Sequence, residues 1–320
     1  MQLCDNKPTF SVVIPTYNRG ELLRDAIESV LFQTDQDFEI IVVNDASTDN
    51  TNEVLYTFTD KRIKKIEIEK SGIVATVRNI GIKESKGSLI AFLDSDDLWY
   101  PKKLQKVREV FEKDEKIVLV CHDMLLTRQG KFVFIHRYGP FENNMYERLL
   151  FRGNCIGSSA TVVRRKAIEK IGLFVEDKNF LGAEDYECWL RLSKIGYFYF
   201  LSEILGEYRI LRNNISRNID KITECRINVI NYHYSKVFEK HTRRSDRLIK
   251  ARRSDIFARS ARTLQIEGRF KEARRLYLKS IKENPGLLTN YIGWFSCLLG
   301  FRLKTIAGIH LFLLKKSVRY

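Results

Sequence analysis

Long apolar runs are absent from this 320-residue chain. Tyr291 to Phe301 and Thr305 to Leu314 are apolar, but Arg302 and Lys304 divide them, and neither reaches the roughly 18 to 20 residues that a membrane span requires. The glycine signatures of common nucleotide folds are also missing. No Gly-x-Gly-x-x-Gly follows the first apolar segment and no Gly-Lys-Ser/Thr loop occurs, which disfavours a dinucleotide fold and a P-loop. Cysteine is sparse and scattered: Cys4, Cys121, Cys155, Cys188, Cys225 and Cys297 lack metal-ligand spacing and read as free thiols in a reducing compartment. The opening Met-Gln-Leu-Cys-Asp-Asn-Lys-Pro has no signal-peptide pattern, so a cytoplasmic location is expected.

What the chain does contain is a series of apolar segments that end in polar residues. Leu89 to Leu93 runs directly into Asp94, Ser95, Asp96 and Asp97. Such a run reads as a strand buried on both faces of a parallel sheet, with the acids at its C-terminal end, where open α/β sheets place ligands. Three carboxylates in four residues repel one another unless positive charge lies among them, and oxygen-rich sets of this kind suit Mg²⁺ or Mn²⁺ carrying substrate phosphates. Equally, this stretch could be a solvated turn capping the next helix.

Upstream, Phe10 to Ile14 reads as a strand closed by Pro15-Thr16-Tyr17-Asn18-Arg19-Gly20, and Leu22, Leu23, Ala26, Ile27, Val30 and Leu31 then recur at helical spacing. A second strand, Phe38 to Val43, ends in Asn44 and Asp45. Helix Asn52 to Phe58, strand Ile63 to Ile68 and helix Ile73 to Lys86 lead into the Asp94 strand. The alternation predicts an α/β fold with a mostly parallel central sheet flanked by helices and right-handed crossovers, so that Asp45 and Asp94 open into one crevice.

Four segments in this order and spacing, Ser11-Val-Val-Ile-Pro-Thr-Tyr-Asn18, Ile41-Val-Val-Asn-Asp45 with Ser47-Thr48-Asp49, Arg78-Asn79-Ile80-Gly81, and Phe92-Leu-Asp-Ser-Asp-Asp-Leu-Trp99, resemble the family 2 nucleotide-sugar glycosyltransferases. The resemblance implies the family's nucleotide-diphospho-sugar transferase fold over residues 1–217 and an inverting transfer that depends on Mn²⁺ or Mg²⁺. Carried over by position, Pro15, Thr16, Tyr17, Asn18 and Asp45 would hold the nucleoside. Arg78 would approach the diphosphate or base, while Asp94 and Asp96 would form the Asp-x-Asp pair facing the metal and donor sugar. Elementary chemistry agrees, since a departing nucleoside diphosphate gains negative charge that a divalent cation stabilises. For Asp45 a helix N-cap is the competing reading, because Asp-Ala-Ser-Thr-Asp precedes a helix.

The acceptor hydroxyl needs a base. Glu184 and Asp185 open an amphipathic helix whose Trp189, Leu190 and Leu192 face inward, and carboxylates at a helix N-terminus are stabilised by the macrodipole. That accounts for the pair structurally. Gly182-Ala-Glu-Asp also resembles the family's Glu-Asp motif, which implies Asp185 as general base, with Glu184 as runner-up or as an acceptor-positioning group. Arg152 to Ala160 resembles the acceptor-side segment, where small residues either admit a ligand to the backbone or form a turn. Tyr208-Arg209-Ile210 resembles the segment after the last strand. Many relatives carry a His two residues beyond that Arg, whereas here the position is Leu211, so no metal or phosphate contact is implied there. The Gln-x-x-Arg-Trp motif of processive relatives is absent, and a single-addition enzyme is expected.

Charge divides the chain. Residues 1–217 hold 32 Lys/Arg and 32 Asp/Glu, whereas residues 218–320 hold 23 against 8. A basic helical region is expected over 218–289, where Gly268 to Pro285 resembles half of one tetratricopeptide repeat, and an apolar and basic segment over 290–320. That last segment fits either a buried helix pair or an interfacial element on an anionic membrane surface, which would make the protein peripheral on the inner face. No nucleic-acid motif accompanies the charge, so nucleic acid is not expected as a partner.

Together these features point to an inverting, non-processive glycosyltransferase of hexosyl type. It would move one sugar from a nucleotide-sugar donor, a UDP-sugar, to a glycan or lipid-linked acceptor in cell-surface polysaccharide synthesis. Two alternatives are weighed: a nucleotidyltransferase, whose glycine-rich basic loop Pro15 to Gly20 does not supply, and an inactive scaffold, against which intact Asp94, Asp96 and Asp185 count.

Overall fold

The computed structural model describes residues 7–211 and 218–301, and the chain divides into two compact units, Met1–Ile215 and Ser216–Tyr320. Expectations that fall on Cys4 or on the 305–314 stretch lie outside the described residues.

The first unit begins with β1 (Phe10–Thr16), α1 (Gly20–Leu31), β2 (Phe38–Asn44), α2 (Thr51–Thr57), β3 (Ile63–Glu67), α3 (Val74–Glu84) and β4 (Leu89–Phe92). Strands β3, β2, β1 and β4 lie side by side and pair in parallel, with Phe10 opposite both Phe38 and Leu89. Successive strand residues point to opposite faces. Ile40 and Val42 therefore join the core with Leu23 and Ile27 of α1, while Ile41 and Val43 pack with Val77 of α3 on the other side. That double burial is why β1 and β2 read as unbroken apolar runs. Each fully buried aliphatic side chain contributes about 1.5–3 kcal/mol. Helix α3 lies so close to the sheet that a Cβ on Gly81 would stand 2.4 Å from a Val13 methyl, which explains a glycine in mid-helix.

The second half of this unit adds β5 (Leu98–Trp99), α4 (Lys103–Phe111), β6 (Ile117–Arg128), β7 (Lys131–His136), α5 (Met145–Arg152), β8 (Thr161–Arg164), α6 (Arg165–Lys170), α7 (Glu184–Leu192) and β9 (Tyr197–Arg209). The sheet continues from β4 through β8, β6 and β9 to β5, with β7 beside β6. Strands β8, β7 and β5 run against their neighbours, whereas β6 and β9 run in the direction of β1. The result is an α/β fold whose sheet is mostly parallel and flanked by helices. Tyr208 and Arg209 lie within the end of β9 rather than after it.

The second unit is helical: α8 (Ile219–Tyr232), a π-turn at His233–Val237, α9 (Arg243–Ile266), α10 (Phe270–Glu283) and α11 (Leu288–Leu298). Thr242 and Ser245 form a reciprocal capping box that starts α9. Ala261, Leu264, Ala273, Leu276, Tyr277 and Cys297 make the core. A compositional boundary at residue 290 falls inside α11, one face of which joins this core through Cys297 and through Gly293, where a Cβ would meet the Tyr277 ring at 2.4 Å. No helix among the described residues is long and apolar enough to cross a membrane.

Candidate active site

Strand ends β1, β2 and β4 deliver three polar loops to one edge of the sheet. The first two lock together: Asn18, in a left-handed backbone conformation, accepts a hydrogen bond from Thr48 N–H (2.7 Å) and donates its own N–H to Ser47 Oγ (2.9 Å). Thr16 sits at the end of β1, its carbonyl accepting from Asp45 N–H at 2.9 Å. Pro15 is in β1 itself, opposite Val43.

Asp45 does not cap a helix. Its carboxylate accepts from the backbone N–H groups of Ser71 (2.6 Å) and Gly72 (3.1 Å) and from Lys70 Nζ (2.9 Å). Burial works to raise its pKa, but these bonds outweigh it and hold the carboxyl below the usual range. Lys70 Nζ also lies 2.8 Å from the centre of the half-exposed Tyr17 ring, a cation over an aromatic face. Lys70, Ser71 and Gly72 were not legible as site residues, since nothing in Lys-Ser-Gly distinguishes this turn from any other polar turn.

The three acids after β4 do not cap a helix either, because β5 intervenes and α4 starts only at Lys103. Asp94 pairs with Arg78 Nη2 at 2.7 Å. Asp97 is buried, accepting from Ser159 Oγ (2.6 Å) and the Arg209 N–H (3.1 Å). Asp96 faces Arg19, with Nε 3.9 Å from its carboxylate, while Arg209 Nε donates to the Asp96 carbonyl at 2.5 Å. Burial first, then the Asp94 charge, pushes the Asp96 carboxyl up to about 6, although Arg19 and Arg209 partly offset this. Asp97 is driven well above its ordinary value by burial and then by Asp96 and Asp94. The strip thus crowds three carboxyls together beside Arg78, Arg19 and Arg209. Hard carboxylate oxygens in that condition fit a divalent cation, and one or two suffice for an ion that takes its other ligands from water and phosphate.

Arg78 connects this strip to α7. It is 4% exposed, and its other terminal nitrogen donates to Glu184 Oε1 at 2.9 Å. Burial would lower the guanidinium pKa, but Asp94 and Glu184 outweigh it and raise it. Glu184, also buried, accepts from Gly182 N–H at 2.6 Å. Breaking such a buried pair from one side typically costs about 3–5 kcal/mol. Asp185, the next residue, is only half-buried and accepts from Ser158 Oγ (3.3 Å) and Tyr186 N–H (2.6 Å).

The segment Arg152 to Ala160 closes the same region. Ser159 receives the Asp94 N–H at 3.1 Å, and its carbonyl accepts from the Trp99 indole at 2.7 Å. The Tyr138 hydroxyl fills the space beside Gly157, where a Cβ would stand 2.2 Å from it. Its pKa is raised well above the phenolic value by burial first, then by Cys121 and by Asp97, Tyr208 and Asp185. Cys121, Cys155, Cys188, Cys225 and Cys297 are free thiols. Leu211 lies just beyond β9.

Solved structures share this architecture. The fold matches Staphylococcus aureus TarS residues 1–349, crystallised with UDP-GlcNAc, at a TM-score of 0.64 and 16% identity, covering 91% of this chain and 92% of that one. It also matches the mannosyltransferase PcManGT of Pyrobaculum calidifontis, solved with GDP-Man and Mn²⁺, at 0.59 and 15% identity over 99% and 82% of the two chains. In sequence, the chain is 31% identical over 214 residues to the Escherichia coli UDP-Glc:alpha-D-GlcNAc-diphosphoundecaprenol beta-1,3-glucosyltransferase WfgD, covering 65% of this chain and 79% of that protein. An uncharacterised glycosyltransferase of Rickettsia bellii is 34% identical over 224 residues, 69% of this chain, which spans only 32% of that longer protein. The putative teichuronic acid biosynthesis glycosyltransferase TuaG of Bacillus subtilis is 33% identical over 217 residues, 66% of this chain and 83% of that one. Residues 11–172, which carry the strand-end loops, the three acids and the Ser158–Ser159 turn, match Glycosyl transferase family 2, and with the similarity to TuaG this makes the chain a member of that family.

Proposed function

We propose that this chain transfers a single hexosyl unit, with inversion, from a UDP-sugar to a hydroxyl of a glycan or lipid-linked acceptor in the synthesis of a cell-surface polysaccharide. The observation that carries the proposal is the Arg78 bridge, which ties Asp94 to Glu184, the chain neighbour of Asp185. The donor names of WfgD and TarS support UDP, and the acceptor named for WfgD and the pathway named for TuaG support the acceptor class.

In this reading Pro15, Thr16, Tyr17, Asn18 and Asp45 bind the nucleoside. Asp45, held ionised by Ser71, Gly72 and Lys70, accepts from the base or ribose, and the buried Thr16 hydroxyl, which has no partner among the described residues, supplies a further polar contact. Asp94 and Asp96 would hold Mn²⁺ or Mg²⁺, which when bound neutralises charge on the diphosphate. Arg78 orients the Asp94 carboxylate through its 2.7 Å hydrogen bond. Asp185 takes the proton of the acceptor hydroxyl as its oxygen attacks the anomeric carbon and the bond to the diphosphate breaks. Glu184 is committed to Arg78, which supports Asp185 as the base and Glu184 as a positioning residue.

A peripheral place at the inner membrane face is part of the proposal. Helix α11 has no charged residue and exposes Leu288, Ile292 and Phe295, while residues 218–320 carry the whole net charge of +15. An apolar face with surrounding basic charge suits anionic lipid. A thermal-shift screen of nucleotide sugars with Mn²⁺ tests the donor: stabilisation by UDP-sugars is expected, since ligand binding to the native state raises its melting temperature. Equal response with and without UDP-sugar would count against the proposal.

A further inference from the structure

A line of three rings runs from the edge strand β7 toward Asp185. β7 pairs with β6, and no other strand among the described residues pairs with it. Phe134 and His136 occupy alternate positions in β7, which places them on one side of it, and Tyr138 follows two residues beyond its end. The Phe134 and His136 rings are 6.2 Å apart between centres, and His136 stacks on Tyr138 at 4.3 Å with only 20° between their planes. From Tyr138 the line continues through backbone. The Tyr138 hydroxyl rests on Gly157, Gly139 N–H donates to the Cys155 carbonyl at 3.0 Å, and Ser158, next in the chain, donates to Asp185. Phe134 and His136 are exposed, whereas Tyr138, Ser158 and Asp185 are half-buried.

Exposed rings on a sheet edge contribute little to the core, and an apolar surface that continues into a reaction centre marks a ligand path. In the proposed function Asp45, Asp94 and Asp96 serve the donor, so a second substrate must approach Asp185 from elsewhere. A pyranose fits what this line offers: one face of the sugar is a set of C–H bonds that packs on the negative face of an aromatic ring, while its hydroxyls stay in water. We propose that Phe134, His136 and Tyr138 form the acceptor subsite, a platform on which a saccharide unit of the acceptor stacks so that its reacting hydroxyl reaches Asp185. This rests on the glycosyltransferase reading above.

The test uses the full chain with UDP and Mg²⁺, and saturation-transfer NMR with methyl glucoside, methyl N-acetylglucosaminide, cellobiose and N,N′-diacetylchitobiose as probes. Phe134→Ala and His136→Ala are compared with Phe132→Ala. A β-bulge sets Phe132 opposite Thr127 and Phe134 opposite Leu126, so Phe132 points to the other face and serves as the control. Transfer to ring protons of at least one probe is expected in the wild type, falling about fivefold in Phe134→Ala and His136→Ala, the size of one lost stacking contact, and unchanged in Phe132→Ala. UDP affinity, read in the same samples, should be equal throughout. A wild type that fails to bind UDP would overturn the donor reading and this inference with it. UDP binding intact with no probe signal, or with signals equal in all variants, would overturn the subsite alone. So would a dimer in sedimentation velocity that Phe134→Ala converts to monomer, because the edge would then belong to a second copy.

Discussion

The two units bury polar groups in opposite ways. In the helical unit they are chiefly neutral and paired with one another: Thr223 with Ser260 (2.6 Å), Ser254 with Ser280 (2.8 Å), Asn290 with Ser280 (2.7 Å) and Tyr277 with Gln265 (2.9 Å). Networks of this kind fix helix register and leave no charge over. In the α/β unit the strand ends instead gather carboxyls, and Asp94, Asp96 and Asp97 crowd one another so that burial and mutual repulsion raise the Asp96 and Asp97 pKa values. Overall charge misleads here, since residues 1–217 balance at 32 of each sign whereas the +15 lies in residues 218–320. Local crowding of carboxyls within a neutral unit, and not the global excess, marks the candidate site.

The contrast breaks most severely at Asp96. Asp96→Ala removes a proposed cation ligand and should lower donor turnover roughly 1000-fold, the scale of losing a major electrostatic contact to the transition state, and EDTA should do the same to the wild type. Release of UDP from UDP-sugar with Mn²⁺ is the assay, and full activity in either case discards the metal assignment. Next comes the base. Asp185→Asn should reduce kcat by about 100-fold with UDP affinity unchanged, whereas Asp45→Ala should weaken UDP binding. Calorimetry separates the two, and loss of UDP binding in Asp185→Asn would move that residue to the donor side.

A smaller effect follows from pH. Between its ordinary value of 3.8 and about 6, the folded Asp96 carboxyl holds a proton that the unfolded chain lacks, so its contribution to cation-free stability falls as pH rises through that window. A cation must displace the same proton. Mn²⁺ affinity should therefore drop about tenfold from pH 7 to pH 5, which metal titration reads directly. An affinity independent of pH in this range would refute a role for Asp96 as ligand. The smallest change in stability is expected in the other unit. Replacing exposed Ile292 and Phe295 of α11 by Ser should leave the melting temperature within about 2 °C, as for surface substitutions generally, yet abolish flotation with anionic liposomes. Unchanged flotation would remove α11 from the proposed membrane surface.

Much of this was legible in the chain. Apolar runs ending in Thr16, Asp45 and Asp94 gave the parallel half of the sheet and its ligand edge, because burial on both faces leaves a continuous signature. Partnerships were less legible. That Asp45 is held by Lys70, Ser71 and Gly72, or that Asp97 is anchored by Ser159 and the Arg209 backbone, depends on loops meeting in space, and loop residues carry no periodicity. The helix-cap alternative for the acids failed because β5 separates them from α4, and a two-residue strand is too short to announce itself; that for Asp45 failed because its carboxylate is taken by the Lys70–Gly72 turn. The path of α11 was hidden by composition. Its exposed face is apolar as well, so Asn290, Gly293 and Cys297 against α10 reveal which side packs.

The Arg78 bridge sets a condition on how the chain folds. One of its partners, Asp94, lies 16 residues away, while the other, Glu184, lies 106 residues away. Contacts of such separation form only after the intervening chain has paid its loop-closure entropy, so they belong to the slow part of folding. An α/β half completed through β4 has its Asp94 contact but not Glu184. The candidate site gains Glu184 and the proposed base Asp185 only when α7 docks, so under the proposed function catalytic competence is a late event in folding and not a property of the first half alone.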